Sequence, residues 1–150
     1  MILKYLFLTI LILLSLYDLK YLKLPNLLVF ICLVLGLINL YIFNFDIQLL
    51  KGLALGFILF FLLYLLFPKG IGFGDVKLEG AIGLFLGFKL TILAILLAFF
   101  SGAIIGLLLI ALGKKTMKDP IPFGPFLAFG AIASLFLGEY IIDWYLNLFI

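Results

Sequence analysis

The chain has 150 residues, of which 68% are hydrophobic and 11% are charged, and its net charge is +3. A soluble domain averages about 45–50% apolar and about 25% charged residues, so the composition excludes an ordinary soluble domain and predicts a polytopic membrane protein. His and Arg are absent and Cys32 is the single cysteine, which argues against zinc, haem or disulfide chemistry.

Six apolar runs are candidates for spanning helices, each of which needs about 20 residues. The runs are Ile2–Tyr17, Leu27–Phe45, Leu49–Phe67, Val76–Phe88, Leu90–Leu112 and a last run from Phe123 onward. The first run lacks a small-x-small cleavage site, so we expect a retained helix rather than a signal peptide. The fourth is short unless it begins at the preceding glycines or continues through Lys89. Residues 138–150 either continue the sixth helix or lie along the membrane surface.

The expected fold is therefore an all-α transmembrane bundle of about six spans, formed by one membrane-embedded domain of residues 1–150. Cys32 lies inside an apolar run, where a small buried hydrophobe is favoured over a catalytic thiol. We expect no cofactor and no metal. The sequence makes no prediction of an oligomeric state.

The lysines predict the orientation, because cytoplasmic loops carry an excess of positive charge. The loops after spans one, three and five lie on one side and hold seven of the ten lysines: Lys20, Lys23, Lys69, Lys77, Lys114, Lys115 and Lys118. The other side holds Lys4, Lys51 and Lys89. This asymmetry predicts a cytoplasmic seven-lysine side with both termini outside. It also assigns the basic residues to the lipid bilayer surface rather than to a nucleic acid.

Two aspartates fall at the predicted cytoplasmic face: Asp18 closes span one, and Asp75 opens span four. Ionisable groups at the edge of a membrane are costly and tend to mark function, although either one alone could simply meet water. Two close carboxylates share a proton and titrate as a coupled pair. One can then take a proton from water while the other donates to a carbonyl oxygen, as in aspartic proteolysis.

Glycines precede Asp75 in the stretch GFGD, from Gly72 to Asp75. Gly72 and Gly74 permit positive φ and a close approach of another chain, and Asp75 stands at a predicted helix start, where an Asp caps amides. An ordinary glycine loop with a capping Asp is the alternative. Pro25 and Asn26 are typical of a turn that starts span two, with Pro in the first helical turn.

Three segments together resemble the type IV prepilin peptidases: D-x6-P-N at 18–26, GFGDVKL at 72–78 and IPFGPFLAFG at 121–130. The resemblance covers essentially the entire chain. It implies a GxGD-type aspartyl protease of the bacterial inner or plasma membrane. Such enzymes cut short basic leader peptides from type IV prepilins and pseudopilins on the cytoplasmic side, usually after a glycine.

The resemblance also implies residue roles. Asp18 and Asp75 would be the catalytic pair, and Gly72 and Gly74 would shape the approach to Asp75. The other supporting residues that it implies are Pro25, Asn26, Lys77, Pro122, Gly124 and Pro125. The segment 122–125 is either a structural or substrate-facing element of the site or a kinked start of span six. Lys77 either tunes the charge of Asp75, contacts an acidic substrate residue or is a solvated interfacial lysine.

Many bacterial members carry an additional N-terminal region, often with paired cysteines, that is linked to N-methylation of the mature pilin. The present sequence reaches Asp18 without such a region and has no CxxC pair. We therefore expect the peptidase core alone, without methyltransferase activity.

Asp119 and Glu79 are candidates for attracting a basic leader.

Two other functions are compatible with the residues. A small ion- or proton-coupled transporter or channel subunit could use the same two aspartates as ligands, although both lie at one face rather than near the midplane where transporter sites usually lie. An inert assembly scaffold would tolerate Asn at both positions.

Overall fold

The computed structural model describes residues 2–116 and 119–149, which form six α-helices and no strand. The helices are α1 (Ile2–Tyr21), α2 (Asn26–Ile42), α3 (Ile47–Leu66), α4 (Phe73–Leu86), α5 (Phe88–Ala111) and α6 (Gly124–Phe149). The predicted all-α bundle is confirmed. Lys118, one of the seven lysines used to predict the orientation, lies outside the described residues.

Four of these helices, α1, α3, α5 and α6, are long and apolar enough to cross a membrane, within the part of the chain that the structure describes. Helix α2 is apolar but has 17 residues, and α4 has 14 residues. Since a helix rises 1.5 Å per residue, α4 is about 21 Å long, shorter than the hydrocarbon core of about 30 Å. The six predicted spans thus correspond to four full-length helices and two short ones.

The bounds of two helices differ from the prediction at the ends that carry aspartates. Helix α1 continues beyond Tyr17 to Tyr21, so Asp18 lies in its last turn instead of following it. Helix α4 begins at Phe73 rather than Val76, because Gly72 serves as its N-cap and accepts the N–H of Asp75 at 3.0 Å. The alternative that the fourth helix begins at the glycines is therefore correct.

The connection between α4 and α5 and the last part of α6 lie at the other end of the bundle. Gly87, at φ +81°, separates α4 from α5 by a single residue, and a positive φ is readily adopted only by glycine. A tight turn at this glycine therefore joins α4 to α5. The residues from 138 to 149 continue α6 as a helix.

Helix α4 is the centre of the bundle and packs against α2, α3, α5 and α6. Small residues let it approach α3 closely: a Cβ added to Gly52 would overlap the carbonyl oxygen of Gly83, and one added to Gly83 would overlap that of Gly52. Such small-residue contacts are typical of helix pairs in membranes. Cys32 is buried and free in this core, as predicted.

Candidate active site

A cavity of about 460 Å³ opens at one end of the bundle, where the connections after α1, α3 and α5 meet. Its lining includes both Asp18 and Asp75. The predicted supporting residues Asn26, Gly72, Gly74, Lys77 and Pro122 also line it. The three connections that the lysine pattern assigned to one side therefore do share one end of the molecule.

Asp18 lies in the last turn of α1 with 5% of its surface exposed. Its Oδ2 accepts a hydrogen bond from the backbone N–H of Gly124 at 2.8 Å. Gly124 is the first residue of α6, and the first N–H groups of a helix have no partner within that helix. The positive end of the α6 dipole thus lies against the Asp18 carboxyl, an arrangement that suits an anion.

Asp75 lies at the same end of the bundle, at the start of α4. It lies in the first turn with 8% of its surface exposed, and its Oδ2 accepts from the backbone N–H of Gly72 at 3.0 Å. The two carboxyl groups therefore line a common cavity, each held by a backbone N–H at a helix start.

Neither glycine before Asp75 adopts the positive φ that glycine permits. Gly72 has φ −81°, and the glycines with positive φ among the described residues are Gly87 and Gly113. Gly74 instead serves a close approach, since a Cβ there would lie 3.1 Å from Cβ of Leu24. At Gly72 a Cβ would lie 3.4 Å from Oδ2 of Asp75, an ordinary contact.

Leu24 is a site residue that the sequence interpretation missed. It lies in the connection between α1 and α2 and lines the cavity. Its side chain also reaches the start of α6, where a Cβ on Gly124 would lie 3.1 Å from its Cδ2. Leu24 thus packs against the first turns of both α4 and α6. The sequence contains one indication of this role: Leu24 is an apolar residue directly before Pro25, and the residue before a proline favours extended backbone.

The remaining motif residues surround the cavity mouth. Pro25 is the N-cap of α2, with φ −69° and ψ 125°, and Asn26 is the first helical residue, so these two residues start the second helix as expected. The exposed Lys77 donates from Nζ to Oδ1 of Asn26 at 3.3 Å and lies 5.0 Å from the ring centre of Phe73. It therefore links the starts of α2 and α4 at the rim.

The segment 122–125 leads into α6: Pro122 lines the cavity, Gly124 opens the helix, and Pro125 follows within its first turn. Proline is tolerated there because its missing N–H would have no helical partner. The segment is therefore both the start of the sixth helix and part of the cavity wall, so the structure is compatible with both alternatives for it.

The two other acids differ from each other. Glu79 is 1% exposed on α4, so the idea that it attracts a substrate from solution is wrong. Asp119 is exposed in the connection between α5 and α6. Hydrogen bonds from the backbone N–H and the hydroxyl of Thr116 lower the pKa of Asp119, which keeps this carboxylate charged at neutral pH.

Comparison with known proteins gives a family match. The model of the type IV leader peptidase family matches residues 5–107, a range that contains both aspartates. A prepilin leader peptidase/N-methyltransferase of Legionella pneumophila is 36% identical over 146 residues, covering 92% of this chain and 50% of that protein. One of Stutzerimonas stutzeri is 34% identical over 140 residues, covering 89% of this chain and 48% of that protein.

A protein of the same description from Burkholderia pseudomallei is 44% identical over 70 residues, which are 47% of this chain and 23% of that protein. The chain thus spans half or less of the length of these curated relatives. No solved structure matches the chain.

Proposed function

The chain belongs to the type IV leader peptidase family, and from this we propose that it is a membrane aspartyl endopeptidase. Its substrates are type IV prepilins or pseudopilins, from which it removes the short basic leader peptide. The observation that carries the proposal is that Asp18 and Asp75 line the same cavity, each with one carboxyl oxygen bound by a backbone N–H.

The reaction uses the pair in complementary protonation states. The ionised carboxylate takes a proton from a water molecule, and the water oxygen attacks the carbonyl carbon of the scissile peptide. The protonated partner gives its proton to the carbonyl oxygen, so a tetrahedral diol forms. The C–N bond then breaks, the nitrogen leaves as an amine with a proton from the pair, and a new carboxyl group remains on the leader.

Backbone contacts support this assignment because they hold each acid through a single oxygen. Gly124 binds Oδ2 of Asp18 and Gly72 binds Oδ2 of Asp75. Both donors are N–H groups at the starts of helices, whose positions are fixed by the bundle. A preorganised pair of this kind needs little rearrangement to reach the transition state.

The cavity is proposed to face the cytoplasm of a bacterial cell, at the inner or plasma membrane. Lys23, Lys69 and Lys77 line it beside the two acids, which supports a cytoplasmic position because cytoplasmic loops carry an excess of positive charge. A substrate helix would lie against the bundle within the bilayer, while its junction with the leader enters the cavity in an extended form. We propose the peptidase reaction alone for these residues.

The proposal is tested with the purified chain in liposomes and a model substrate, a basic leader that ends in glycine fused to an apolar helix. Mass spectrometry is expected to find the free leader and the trimmed helix. Ion flux across the liposomes without any hydrolysis would instead support the transporter alternative and overturn the proposal.

A further inference from the structure

Glu79 is a buried acid that the proposed reaction does not use. It is 1% exposed, and its Oε1 has no hydrogen-bond partner among residues 2–116 and 119–149. It is absent from the lining of the cavity that holds the aspartate pair. Any effect that it has on the reaction must therefore pass through another residue.

Helix α3 fixes the position of Glu79. A Cβ on Gly56 would lie 2.6 Å from the carbonyl oxygen of Glu79 and 3.2 Å from its Cγ. The backbone and the Cγ atom of Glu79 therefore pack closely against α3. The carboxyl group beyond Cγ can still rotate.

Asp75 lies four positions before Glu79 on the same helix. The helices packed around α4 carry four charged residues, Lys51, Lys89, Glu139 and Asp143, and all four are exposed. Their buried polar residues are Asn39 on α2, Thr91 on α5 and Ser134 on α6. The side chains of Asn39 and Thr91 donate hydrogen bonds to the backbone carbonyl oxygens of residues 85 and 87, respectively. Lys77 points to Asn26. Glu79 therefore has no cationic partner among the described residues.

An ionised carboxylate in this place would be costly, because burying a charge without a partner costs several kcal/mol. A protonated carboxyl group there carries one O–H donor. Residues four positions apart on a helix lie on one face, with Cβ atoms about 5–6 Å apart. The Asp75 carboxyl group therefore lies on the same face of α4 as Glu79, one turn closer to the cavity.

We propose that Glu79 is a positioning residue that remains protonated and donates a hydrogen bond to Asp75 whenever Asp75 is ionised. The site then contains three carboxyl groups in a row, Asp18, Asp75 and Glu79. The two aspartates face the substrate, and Glu79 supports the ionised form of Asp75 from behind. This inference rests on the proposed peptidase function for its kinetic consequences.

The kinetic test compares two variants. Glu79→Gln keeps the shape and a neutral donor, whereas Glu79→Leu keeps an approximately similar volume and has no donor. Because a hydrogen bond to the charged form favours that form, Glu79→Leu is expected to move the acidic limb of kcat/KM upward by about one pH unit. Glu79→Gln is expected to keep the wild-type limb. Identical profiles for all three proteins, or a shift in both variants, would overturn the proposal.

A second measurement is independent of activity. Infrared spectra of wild type minus Glu79→Gln are expected to isolate the C=O stretch of a protonated Glu79, and this band is expected to move as Asp75 ionises. In Asp75→Asn it should no longer change with pH. Absence of the band overturns the Glu79 proposal and leaves the peptidase proposal intact. A moving band in a protein that cuts no leader overturns the peptidase proposal instead.

Discussion

The backbone N–H of Gly124 donates a hydrogen bond to Oδ2 of Asp18 at 2.8 Å and so joins two residues that are 106 positions apart. Asp75 is held in the same manner by the N–H of Gly72 at 3.0 Å. In each case a glycine at a helix start supplies the donor. The proposed catalytic pair therefore depends on where α4 and α6 begin.

Gly124→Ala is expected to lower leader cleavage by about tenfold or more, since a displacement of about 1 Å at a reacting group can cost about a hundredfold. The added Cβ would lie 2.7 Å from Oδ2 and 3.2 Å from Cβ of Asp18, so the carboxyl group must move. Cleavage rates and thermal unfolding in detergent measure the effect. Gly106→Ala is the matched control, because its Cβ would meet only the end of Ile121 at 3.4 Å.

The two glycines before Asp75 are expected to differ in tolerance. Gly74→Ala presses on Cβ of Leu24 at 3.1 Å and displaces the connection between α1 and α2, whereas Gly72→Ala makes an ordinary contact at 3.4 Å. Cleavage should therefore fall by about tenfold in Gly74→Ala and by less than about threefold in Gly72→Ala, in line with typical costs of overpacking. The opposite order in parallel assays would show that Leu24 does not position the site.

Much of this arrangement is predictable from the sequence. Apolar runs give the six helices, and the lysine asymmetry places the connections after α1, α3 and α5 at one end. The pairing of Asp18 with Asp75 in one cavity follows from that placement. Apolar runs and lysine counts extend over many residues, so they predict the same arrangement even where a helix begins or ends a few residues away from the expected position.

The local contacts could not be predicted in the same way. Gly72 and Gly74 suggested unusual dihedral angles, yet Gly74 is small because Leu24 packs on it, a contact between distant segments. The donor from Gly124 to Asp18 also requires knowledge of which helix starts lie together. Glu79 was recognisable in the sequence as an acid within a predicted apolar span, and such acids tend to mark function. Its burial inside the bundle could not be predicted, because it depends on where α4 begins.

Gly52→Ala and Gly83→Ala are expected to destabilise the protein by at least about 2 kcal/mol each. In both variants the added Cβ meets a backbone carbonyl of the facing helix, and neither backbone can rotate away. Thermal unfolding in detergent should show the loss, with Gly106→Ala close to wild type. A wild-type melting curve for Gly83→Ala would contradict the close packing of α3 on α4.

Lys77→Gln is expected to change cleavage by less than about threefold and stability by less than about 2 kcal/mol. The lysine is exposed, and its contacts with Asn26 and the ring of Phe73 are of kinds that contribute about 0.5–1 kcal/mol each at exposed sites. Cleavage and unfolding assays at the same pH test both quantities. A loss of about a hundredfold would instead assign Lys77 a direct role beside Asp75.

The central claim is most directly tested by cleavage of the model substrate with Asp18→Asn and Asp75→Asn, each purified in the folded state. Asp46→Asn is the matched control, since Asp46 caps α3 through Gln48 at 2.9 Å, and Asn caps helices equally well. We expect wild-type cleavage with Asp46→Asn and no detectable cleavage with either of the other two variants. Cleavage near the wild-type rate by folded Asp18→Asn or Asp75→Asn would contradict the aspartate pair.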